Sequence, residues 1–391
     1  MDLLELLRKT VRDGASDLHL TVGARPSYRL HGHIVPLEYP VLDAETLTGM
    51  LVPMMNPEQH KKFDAHHDLD FAIEIENLAR FRTNYFSNRR GDGAVFRVIP
   101  ANIITAKQLA LPDAVMKLGR EENGLVLVTG PTGSGKSTTL AAIVDLINAE
   151  RRAHILTVED PIEFVHKHRN CIVNQREVGT HTDSFATALR AALREDPDVI
   201  LVGEMRDLET IALAITAAET GHLVLATLHT SSAPQTVDRI IDAFPPHQQN
   251  QIRTMLAESL RGVVAQTLLP KLGGGRVAAH EILLANHAAK NLIREGKSHQ
   301  LRSVIEMNAN IGMQTLEASM IKLWELGIIS RETVSGRGVV LPADAVLKGA
   351  PPPEDAPSRP KSGQPTHTVA PANLSALPEL QDEELHDLLS I

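Results

Sequence analysis

The chain has 391 residues, a hydrophobic fraction of 43% and a formal net charge of −9. At about 150 residues per domain, this length predicts two to three domains with a sizeable core. With no run of 18 apolar residues and no signal-peptide pattern at Met1-Asp2-Leu3-Leu4-Glu5, the sequence predicts a cytoplasmic protein without a transmembrane segment. The acidity argues against a general nucleic-acid binder, and the single Cys171 excludes disulfides and Cys-based zinc sites within one chain.

Residues 1–100 predict a small α/β domain. Apolar residues at helical spacing predict a helix over 2–12, with Gly14 as its stop. Alternating apolar and polar residues predict strands, and two segments between them have helical spacing. The predicted strands are 16–20, 26–30, 69–75, 80–86 and 94–99, and the predicted helices are 43–51 and 57–63. Residues 101–113 lack a strong period, so we expect a linker there.

Residues 114–345 predict a second α/β domain. Short apolar runs typical of buried parallel strands, at 125–129, 154–159, 199–203 and 222–228, alternate with helical patterns. This alternation implies crossover connections and therefore a doubly wound, mainly parallel sheet. Two further helices are predicted after that sheet, one over 248–269 and one carrying Leu316 and Trp324 before a stop at Gly327.

Residues 346–391 have the composition of a disordered tail. Eight prolines fall between Pro351 and Pro378, and seven acids stand against two bases from residue 351 onward. Such a segment cannot bury enough apolar surface to order itself. Leu385, Leu388 and Leu389 have helical spacing, so the end of the tail is either a docking peptide for a partner or a frayed terminus.

A phosphate-binding pattern, G-x-x-x-x-G-K-[ST], occupies residues 130–137 between a predicted strand and a predicted helix. Its members are Gly130, Pro131, Thr132, Gly133, Ser134, Gly135, Lys136 and Ser137, and Thr138 follows. Glycines let backbone N–H groups turn toward an anion, and the helix N-terminus adds partial positive charge. We expect Lys136 to reach the outer phosphates and Ser137 to hold Mg²⁺. The pattern therefore predicts a site for a nucleoside triphosphate.

Acidic and imidazole side chains stand at the ends of the other predicted parallel strands. Three acids, the last of them Glu163, lie just past the strand at 154–159, where open α/β sheets bind ligands. Glu163 is the candidate to position and deprotonate the attacking water. Glu204 follows an apolar strand and is the candidate acid for Mg²⁺. His222 and His229 bracket another strand, so one of them could meet the phosphates or signal to a neighbouring surface.

Taken together, these segments resemble a known family. GPTGSGKSTT at 130–139, TVEDPIEF at 157–164, REDPDVILVGEMRDLET at 194–210 and TGHLVLATLHT at 220–230 resemble the Walker A, Asp box, Walker B and His box of secretion ATPases. The resemblance is to the retraction ATPases of type IV pili, the PilT class, and it covers residues 1–340. It implies a PAS-like N-terminal domain followed by a RecA-like P-loop ATPase domain that hydrolyses ATP with Mg²⁺.

The resemblance also assigns roles. It implies Glu163 as catalytic glutamate, Glu204 as Walker B acid, His222 and His229 as His-box residues, and Arg82 and Arg97 as arginine contacts to the ATP phosphates. It further implies a homohexamer at the inner face of the cytoplasmic membrane, at the pilus base. There the motor would turn an inner-membrane platform protein and so power pilus disassembly and twitching motility.

Two features bear on the choice of subfamily. Pilus extension motors and type II secretion ATPases usually carry paired C-x-x-C motifs, which a chain with one cysteine cannot form. Retraction motors carry A-I-R-N-L-I-R-E, and residues 288–295, AAKNLIRE, keep the second half of that motif. Both features favour retraction, and a pilus extension or secretion ATPase is the near alternative. A nucleic-acid motor is a distant one, and a nucleotide-sensing scaffold would not need Glu163 and Glu204 together.

Overall fold

The computed structural model describes residues 1–341, apart from 31, 77 and 100–102. Its strands form two separate sheets, one of six strands and one of seven. The predicted tail at 346–391 and its docking segment lie outside the described residues. The domain boundaries placed at 101–113 and at 345 stay predictions. Within the described ranges, no helix combines the length and the apolar character needed to cross a bilayer.

The first sheet is antiparallel and has the strand order β3-β2-β1-β6-β5-β4. Its strands are β1 (Asp17–Thr21), β2 (Ser27–Leu30), β3 (His33–Pro36), β4 (Asp68–Ile75), β5 (Ala79–Asn88) and β6 (Gly91–Ile99). The five predicted strands are all present. The exposed edge strand β3 was not predicted, because it is short and its aliphatic residues Ile34 and Val35 are adjacent, so apolar and polar residues do not alternate.

Three helices accompany this sheet: α1 (Leu3–Arg12), α2 (Ala44–Leu51) and α3 (Pro57–His66). The carboxylate of Asp2 accepts from the Leu4 backbone N–H at 3.2 Å and so caps α1. Gly14, at φ 68°, follows the helix in the left-handed conformation that its stop requires. The apolar faces of helices and sheet meet in one core around the buried rings of Phe81, Tyr85 and Phe96. Most of the residues that line the cavity on the opposite side of the sheet are polar.

The second sheet has the order β13-β12-β7-β11-β10-β8-β9 and is parallel except for its edge strand β13. Its strands are β7 (Gly124–Thr129), β8 (His154–Glu159), β9 (Ile172–Glu177), β10 (Val199–Val202), β11 (Leu223–Leu228), β12 (Leu260–Pro270) and β13 (Arg276–Leu284). The predicted mainly parallel, doubly wound sheet is therefore confirmed.

Helices cover both faces of this sheet, with one apolar cluster on each side. They are α4 (Asp113–Gly119), α5 (Lys136–Glu150), α6 (Phe185–Ala192), α7 (Leu208–Glu219), α8 (Ala233–Asp242), α9 (Pro246–Ser259), α10 (His287–Arg294), α11 (Leu301–Met307), α12 (Leu316–Glu325) and α13 (Arg331–Ser335). Short 3₁₀ turns occur at Val52–Met54, Ser298–Gln300 and Ala309–Ile311. The helix predicted to precede Gly327 is confirmed as α12.

The helix predicted over 248–269 is wrong in its second half. The helix α9 ends at Ser259, and the chain continues directly as strand β12 beside β7. Residues 262–266 are buried without interruption, so the strand lacks the alternation that marks a half-exposed strand. Its apolar residues fit a helical period equally well, and only pairing with β7 decides the outcome. The strands β9 and β13 were also missed.

The parallel order places the carboxyl ends of β7, β8, β10 and β11 at the same edge of the second sheet. Ligands bind at this edge in open α/β sheets. The phosphate-binding loop follows β7, and the segments with Glu163, Glu204 and His229 follow β8, β10 and β11. The fold thereby gathers these motifs from four distant stretches of sequence.

Candidate active site

The phosphate-binding loop spans residues 130–135 and joins β7 to α5, which begins at Lys136. Gly130 has φ 143°, and a Cβ atom there would lie 2.3 Å from the carbonyl oxygen of Gln266. Gly133 and Gly135 have φ of 77° and 88°, a region that glycine adopts without strain. The glycines allow the tight turn into α5, whose first backbone N–H groups have no partner within the helix. That arrangement suits a phosphate group.

The other members of the loop pattern differ in exposure. Pro131 and Thr132 are exposed at the tip of the loop, whereas Ser134 is buried and its hydroxyl has no hydrogen-bond partner among the described residues. Ser137 and Thr138 lie half-buried in the first turn of α5. The tip of the loop is therefore accessible to solvent, whereas its centre is packed into the protein.

The ammonium group of Lys136 is held over the loop itself. Its Nζ atom donates to the carbonyl oxygens of Gly130 at 2.9 Å and Pro131 at 3.1 Å. Burial lowers the pKa of Lys136, and the negative charges of Glu204 and Glu163 act in the opposite direction. No ion pair within 4 Å includes Lys136 in the described part of the chain. Its charge is therefore not neutralised by a carboxylate contact and fits an anionic ligand.

Gln266, on β12, fastens the loop to the sheet. Its side-chain Nε2 donates to the carbonyl oxygen of Ser134 at 2.7 Å, and its Oε1 accepts from the Thr139 hydroxyl at 2.9 Å. Both bonds are buried, so each is protected from competition with water. Sequence reasoning missed Gln266 because β12 was predicted as helix. A glutamine inside an otherwise apolar run was the available signal.

The acidic segment after β8 is organised around Glu159. Its Oε1 accepts from Thr157 Oγ1 at 2.7 Å and from Gln175 Nε2 at 3.1 Å, and its Oε2 accepts from the Glu163 backbone N–H at 3.4 Å. Burial raises the pKa of Glu159. Glu159 is therefore fully engaged in fixing the turn. The half-buried Glu163 is close enough for its charge to act on Lys136.

Strand β9 holds the same segment from the other side. Gln175 donates through Nε2 to the Phe164 carbonyl oxygen at 2.8 Å and accepts through Oε1 from the His166 N–H at 2.7 Å. These bonds bracket the backbone immediately after Glu163. Because β9 was not predicted, sequence reasoning did not assign Gln175 to the site.

Glu204 follows β10 and is held on both carboxylate oxygens. Oε1 lies 3.0 Å from His229 Nε2, and Oε2 accepts from Arg206 Nη2 at 2.7 Å. The hydrogen bond from Arg206 is the largest cause that lowers the pKa of Glu204, and the charge of His229 adds to it. The structure thus brings Glu204 and His229 together at the carboxyl edge. Arg206 is a partner that sequence reasoning did not assign.

His222 does not share this position. It precedes β11, and its carbonyl oxygen accepts from the Gly124 N–H at the start of β7, at 2.9 Å. Its Nδ1 lies 2.9 Å from the Ala217 carbonyl oxygen. The six residues of β11 separate it from His229, a rise of about 20 Å. The structure therefore places only His229 near the phosphate-binding loop, and His222 lies at the opposite edge of the sheet.

A small cavity of about 30 Å³ adjoins the loop and includes Ser137, Glu159, His166 and Gly203 in its lining. This volume accommodates a water-sized particle. Hydroxyl and carboxylate oxygens are the donors that Mg²⁺ prefers, and it is usually held by one or two protein groups together with phosphate oxygens and water. Ser137 lines this cavity, and Glu204 directly follows the lining residue Gly203 in the chain. Within the described ranges, no group of three His, Cys, Asp or Glu side chains is placed to hold a metal.

Arg82 and Arg97 lie directly opposite each other on β5 and β6 of the first sheet. The Nε atom of Arg97 donates to Asp17 Oδ1 at 2.8 Å, and 65% of the Arg97 side chain is exposed. Both arginines line a cavity of about 150 Å³ together with Asp17, Asp70, Asn84 and Val95. That lining contains no residue of the phosphate-binding loop. The structure therefore pairs the two arginines with each other, and it places them in a different cavity from Ser137.

Fold and site together define a P-loop nucleotide-binding protein with a RecA-like sheet, preceded by an antiparallel sheet that presents arginines. The chain belongs to the family described as "Type II/IV secretion system protein", which matches residues 2–275. The family resemblance deduced from the four motifs is thereby confirmed.

Three known proteins illustrate the relationship. "Type IV pilus retractation ATPase PilT" of Pseudomonas aeruginosa is 52% identical over 85% of this chain and 96% of that protein. "Twitching motility protein" of Neisseria gonorrhoeae is 49% identical over 86% of this chain and 90% of its own. A solved structure described as "Crystal Structure of the Pilus Retraction Motor PilT and Bound ADP" matches with a TM-score of 0.81 at 48% identity, covering 86% of this chain and 96% of that one.

Proposed function

We propose that this chain is an ATP-hydrolysing motor that powers type IV pilus retraction, and with it pilus disassembly and twitching motility. The observation that carries the proposal is the meeting of Lys136, Glu163 and Glu204 at one edge of the second sheet, where both carboxylates act on the lysine charge. The names of the relatives, which cover most of this chain, support retraction as the work performed.

The proposed hydrolysis divides between the residues at this edge. Loop backbone N–H groups and Lys136 bind the phosphates of ATP and stabilise the charge that develops as the outer phosphate leaves. The half-buried Glu163 accepts the proton of the attacking water. The products are ADP and inorganic phosphate.

Ser137 and Glu204 would hold Mg²⁺, which supplies charge neutralisation to the phosphate oxygens. His229 and Arg206 keep the Glu204 carboxylate ionised and fixed in direction. This support makes Glu204 a rigid ligand, since a carboxylate bound on both oxygens cannot rotate freely.

Arg82 and Arg97 are proposed to complete the site on assembly of a homohexamer. Two adjacent guanidinium groups repel each other, and a triphosphate placed between them would relieve that repulsion. We also propose residues 1–100 as the arginine-bearing domain and 114–345 as the motor domain, so that nucleotide charge favours closure between them.

In the cell, the proposed motor acts in the cytoplasm at the inner face of the cytoplasmic membrane, at the pilus base. Its partner there would be the inner-membrane platform protein, from which pilins are removed. The tail after residue 345 is proposed to dock on a further partner. Neither nucleic acid nor a membrane span has a part in this scheme.

Deleting the gene and restoring it with variants tests the proposal. The deletion should produce cells with excess pili that do not retract, and the native gene should restore movement. Lys136→Ala should fail to restore it, and Arg120→Met serves as the control, because Arg120 pairs with Glu150 on a distant surface. Cells that lose pili altogether would instead indicate an extension or secretion ATPase. Purified native protein without ATPase activity would reject the enzyme assignment.

A further inference from the structure

An ion pair joins the two sheets beside the candidate active site. Arg80, on β5 of the first sheet, donates through Nη2 to Glu177 Oε2 at 2.8 Å, at the end of β9 in the second sheet. The side chains are only 18% and 6% exposed. Breaking such a pair is costly, because it leaves an uncompensated charge in a poorly solvated place. Among the described residues, Glu177 is the only hydrogen-bond partner of the Arg80 side chain, whose Nε has none.

The same carboxylate oxygen of Glu177 also reaches the Asp-box segment. Oε2 accepts from the Ile162 backbone N–H at 3.1 Å, in a buried bond, and Oε1 accepts from the Thr180 hydroxyl at 3.1 Å. Ile162 is itself buried and directly precedes Glu163. One oxygen atom therefore connects an arginine of the first sheet to the backbone that carries the proposed catalytic base.

Arg80 moves with the arginines proposed to contact the phosphates. Arg80 and Arg82 are two residues apart on β5, so their side chains project from the same face of the strand. Arg82 in turn is paired with Arg97 across β5 and β6. A displacement of the first sheet that moves Arg82 must therefore also move Arg80 and change its bond to Glu177.

We propose that Glu177 is a positioning residue that couples the first sheet to catalysis: Arg80 and Glu177 transmit the position of the arginine-bearing sheet to the Ile162–Glu163 backbone. The inference rests on the proposed ATPase function. Glu163 is aligned for water activation while Arg80 holds Glu177 in place, and alignment is lost when the two sheets separate. Turnover is thereby linked to the arrangement of the two sheets in which the Arg80–Glu177 pair is intact.

Steady-state kinetics on the full chain test this coupling through a double-mutant cycle. Arg80→Met and Glu177→Gln should each lower kcat about ten-fold, an effect typical of coupled contacting residues, with ATP affinity within about two-fold of native. The double variant should be no worse than the poorer single variant. Arg80→Lys, which keeps the charge, should recover part of the activity. Arg120→Met, which removes the ion pair with Glu150, is the matched control and should leave kcat unchanged.

Hydrogen exchange separates transmission from a general loss of stability. Among the described hydrogen bonds, Arg80 reaches residues 160–166 only through Glu177. Arg80→Met should therefore speed deuterium uptake of a peptide covering 160–166 while a peptide from the phosphate-binding loop exchanges as in the native protein. If deuterium uptake of both peptides becomes faster by the same factor, the Arg80–Glu177 pair only stabilises the fold, and the proposal is overturned.

Two kinetic outcomes also overturn it. Losses in kcat that multiply in the double variant would show that Arg80 and Glu177 act independently. Arg80→Met could also be made in the native and in the Glu177→Gln background. An equal loss of ATP affinity in both backgrounds would assign Arg80 to direct nucleotide contact. Native protein without ATPase activity would reject the proposed function. Active native protein whose kcat is unchanged by Arg80→Met and Glu177→Gln would reject only the coupling.

Discussion

His229 Nε2 lies 3.0 Å from Glu204 Oε1, although the two residues are 25 positions apart in the chain. They meet because β10 and β11 are parallel neighbours whose carboxyl ends coincide. Arg206 holds the other oxygen of the same carboxylate. Glu204 is thus supported from both sides, and the hydrogen bond from Arg206 lowers its pKa, which favours the ionised carboxylate. We therefore expect metal binding by Glu204 to depend on His229 and Arg206.

Removing the imidazole by His229→Ala should weaken the response to Mg²⁺. With only Arg206 left, the Glu204 carboxylate gains freedom, and loss of such outer support typically costs about 10- to 100-fold in metal affinity or activity. The half-saturating Mg²⁺ concentration for ATP hydrolysis should rise by about ten-fold, and excess Mg²⁺ should restore part of the rate. His222→Ala should leave that concentration unchanged, because His222 lies at the other end of β11. An unaltered Mg²⁺ titration in His229→Ala would contradict the supporting role.

Glu163→Gln should separate binding from hydrolysis. The amide keeps the size of the side chain but does not accept the proton of the attacking water, so kcat should fall about 10²- to 10⁴-fold with nucleotide binding retained. Lys136→Ala should lose both, because Lys136 supplies the positive charge over the loop. Equilibrium binding of a fluorescent ATP analogue and phosphate release decide between the two patterns. Full turnover in Glu163→Gln would reject Glu163 as the base.

Arg82→Ala should lower hydrolysis while the fold stays intact. Arg82 lines a different cavity from Ser137 of the phosphate-binding pattern, so we expect Arg82 to act when assembly brings the sites of neighbouring subunits together. The specific activity of the native protein should therefore rise with protein concentration as hexamers form. In Arg82→Ala, this increase in specific activity should be smaller by about ten-fold or more. Activity measured across a dilution series, alongside mass determination by light scattering, checks this. Full activity in a strictly monomeric native protein would defeat the ring scheme.

The buried His280 should make the fold less stable in mild acid. Burial lowers its pKa to about 4, from an ordinary value near 6.5. The unfolded chain therefore binds a proton that the folded chain does not in this window, so stability is full above about pH 6.5 and falls as the pH drops toward 4. His166, with its pKa also lowered to about 4 by burial, acts in the same direction.

His280→Leu should reduce this acid sensitivity. The drop in Tm between about pH 7.5 and pH 5 should shrink by about 4 °C relative to native protein, because one of the two buried imidazoles is gone. His33→Leu, at an exposed position of β3, serves as the control and should leave the drop unchanged. Thermal unfolding followed by circular dichroism at both pH values measures the difference. An identical drop in His280→Leu and native protein would contradict the assignment.

A sequence reveals most about a site that is built from short contiguous motifs. The loop from Gly130 to Ser137 and the acids after β8 and β10 are recognisable because strand, turn and helix follow one another within a few residues. What stayed hidden depends on contacts between distant segments. Gln175 and Glu177 lie on β9, whose alternation of apolar and polar residues is weak, and nothing local indicates that they hold the backbone around Glu163.

The mistaken helix over 248–269 has the same physical origin. Leu260, Val263 and Val264 suit one face of a helix as well as they suit a strand buried on both sides. Strand β12 is selected by hydrogen bonds to β7, more than 100 residues earlier in the chain. Burial against a distant strand such as β7 overrides the local preference of the segment for a helix. The periodicity of the sequence does not show that this strand pairing will occur.

The tail offers a separate test, since every residue assigned to the nucleotide site precedes position 345. Removing residues 351–391 should leave ATP binding, hexamer formation and basal ATPase activity within about two-fold of native, because terminal segments of this composition contribute little to a folded core. In cells, the truncation should weaken pilus retraction or localisation at the pilus base if the tail docks on a partner. The full chain with Leu385→Asp and Leu389→Asp should show the same cellular loss, because these leucines share the apolar side of the predicted helical turn. If the truncated protein binds ATP but has lost basal hydrolysis, the tail is part of the motor domain. The end of that domain then lies beyond residue 345.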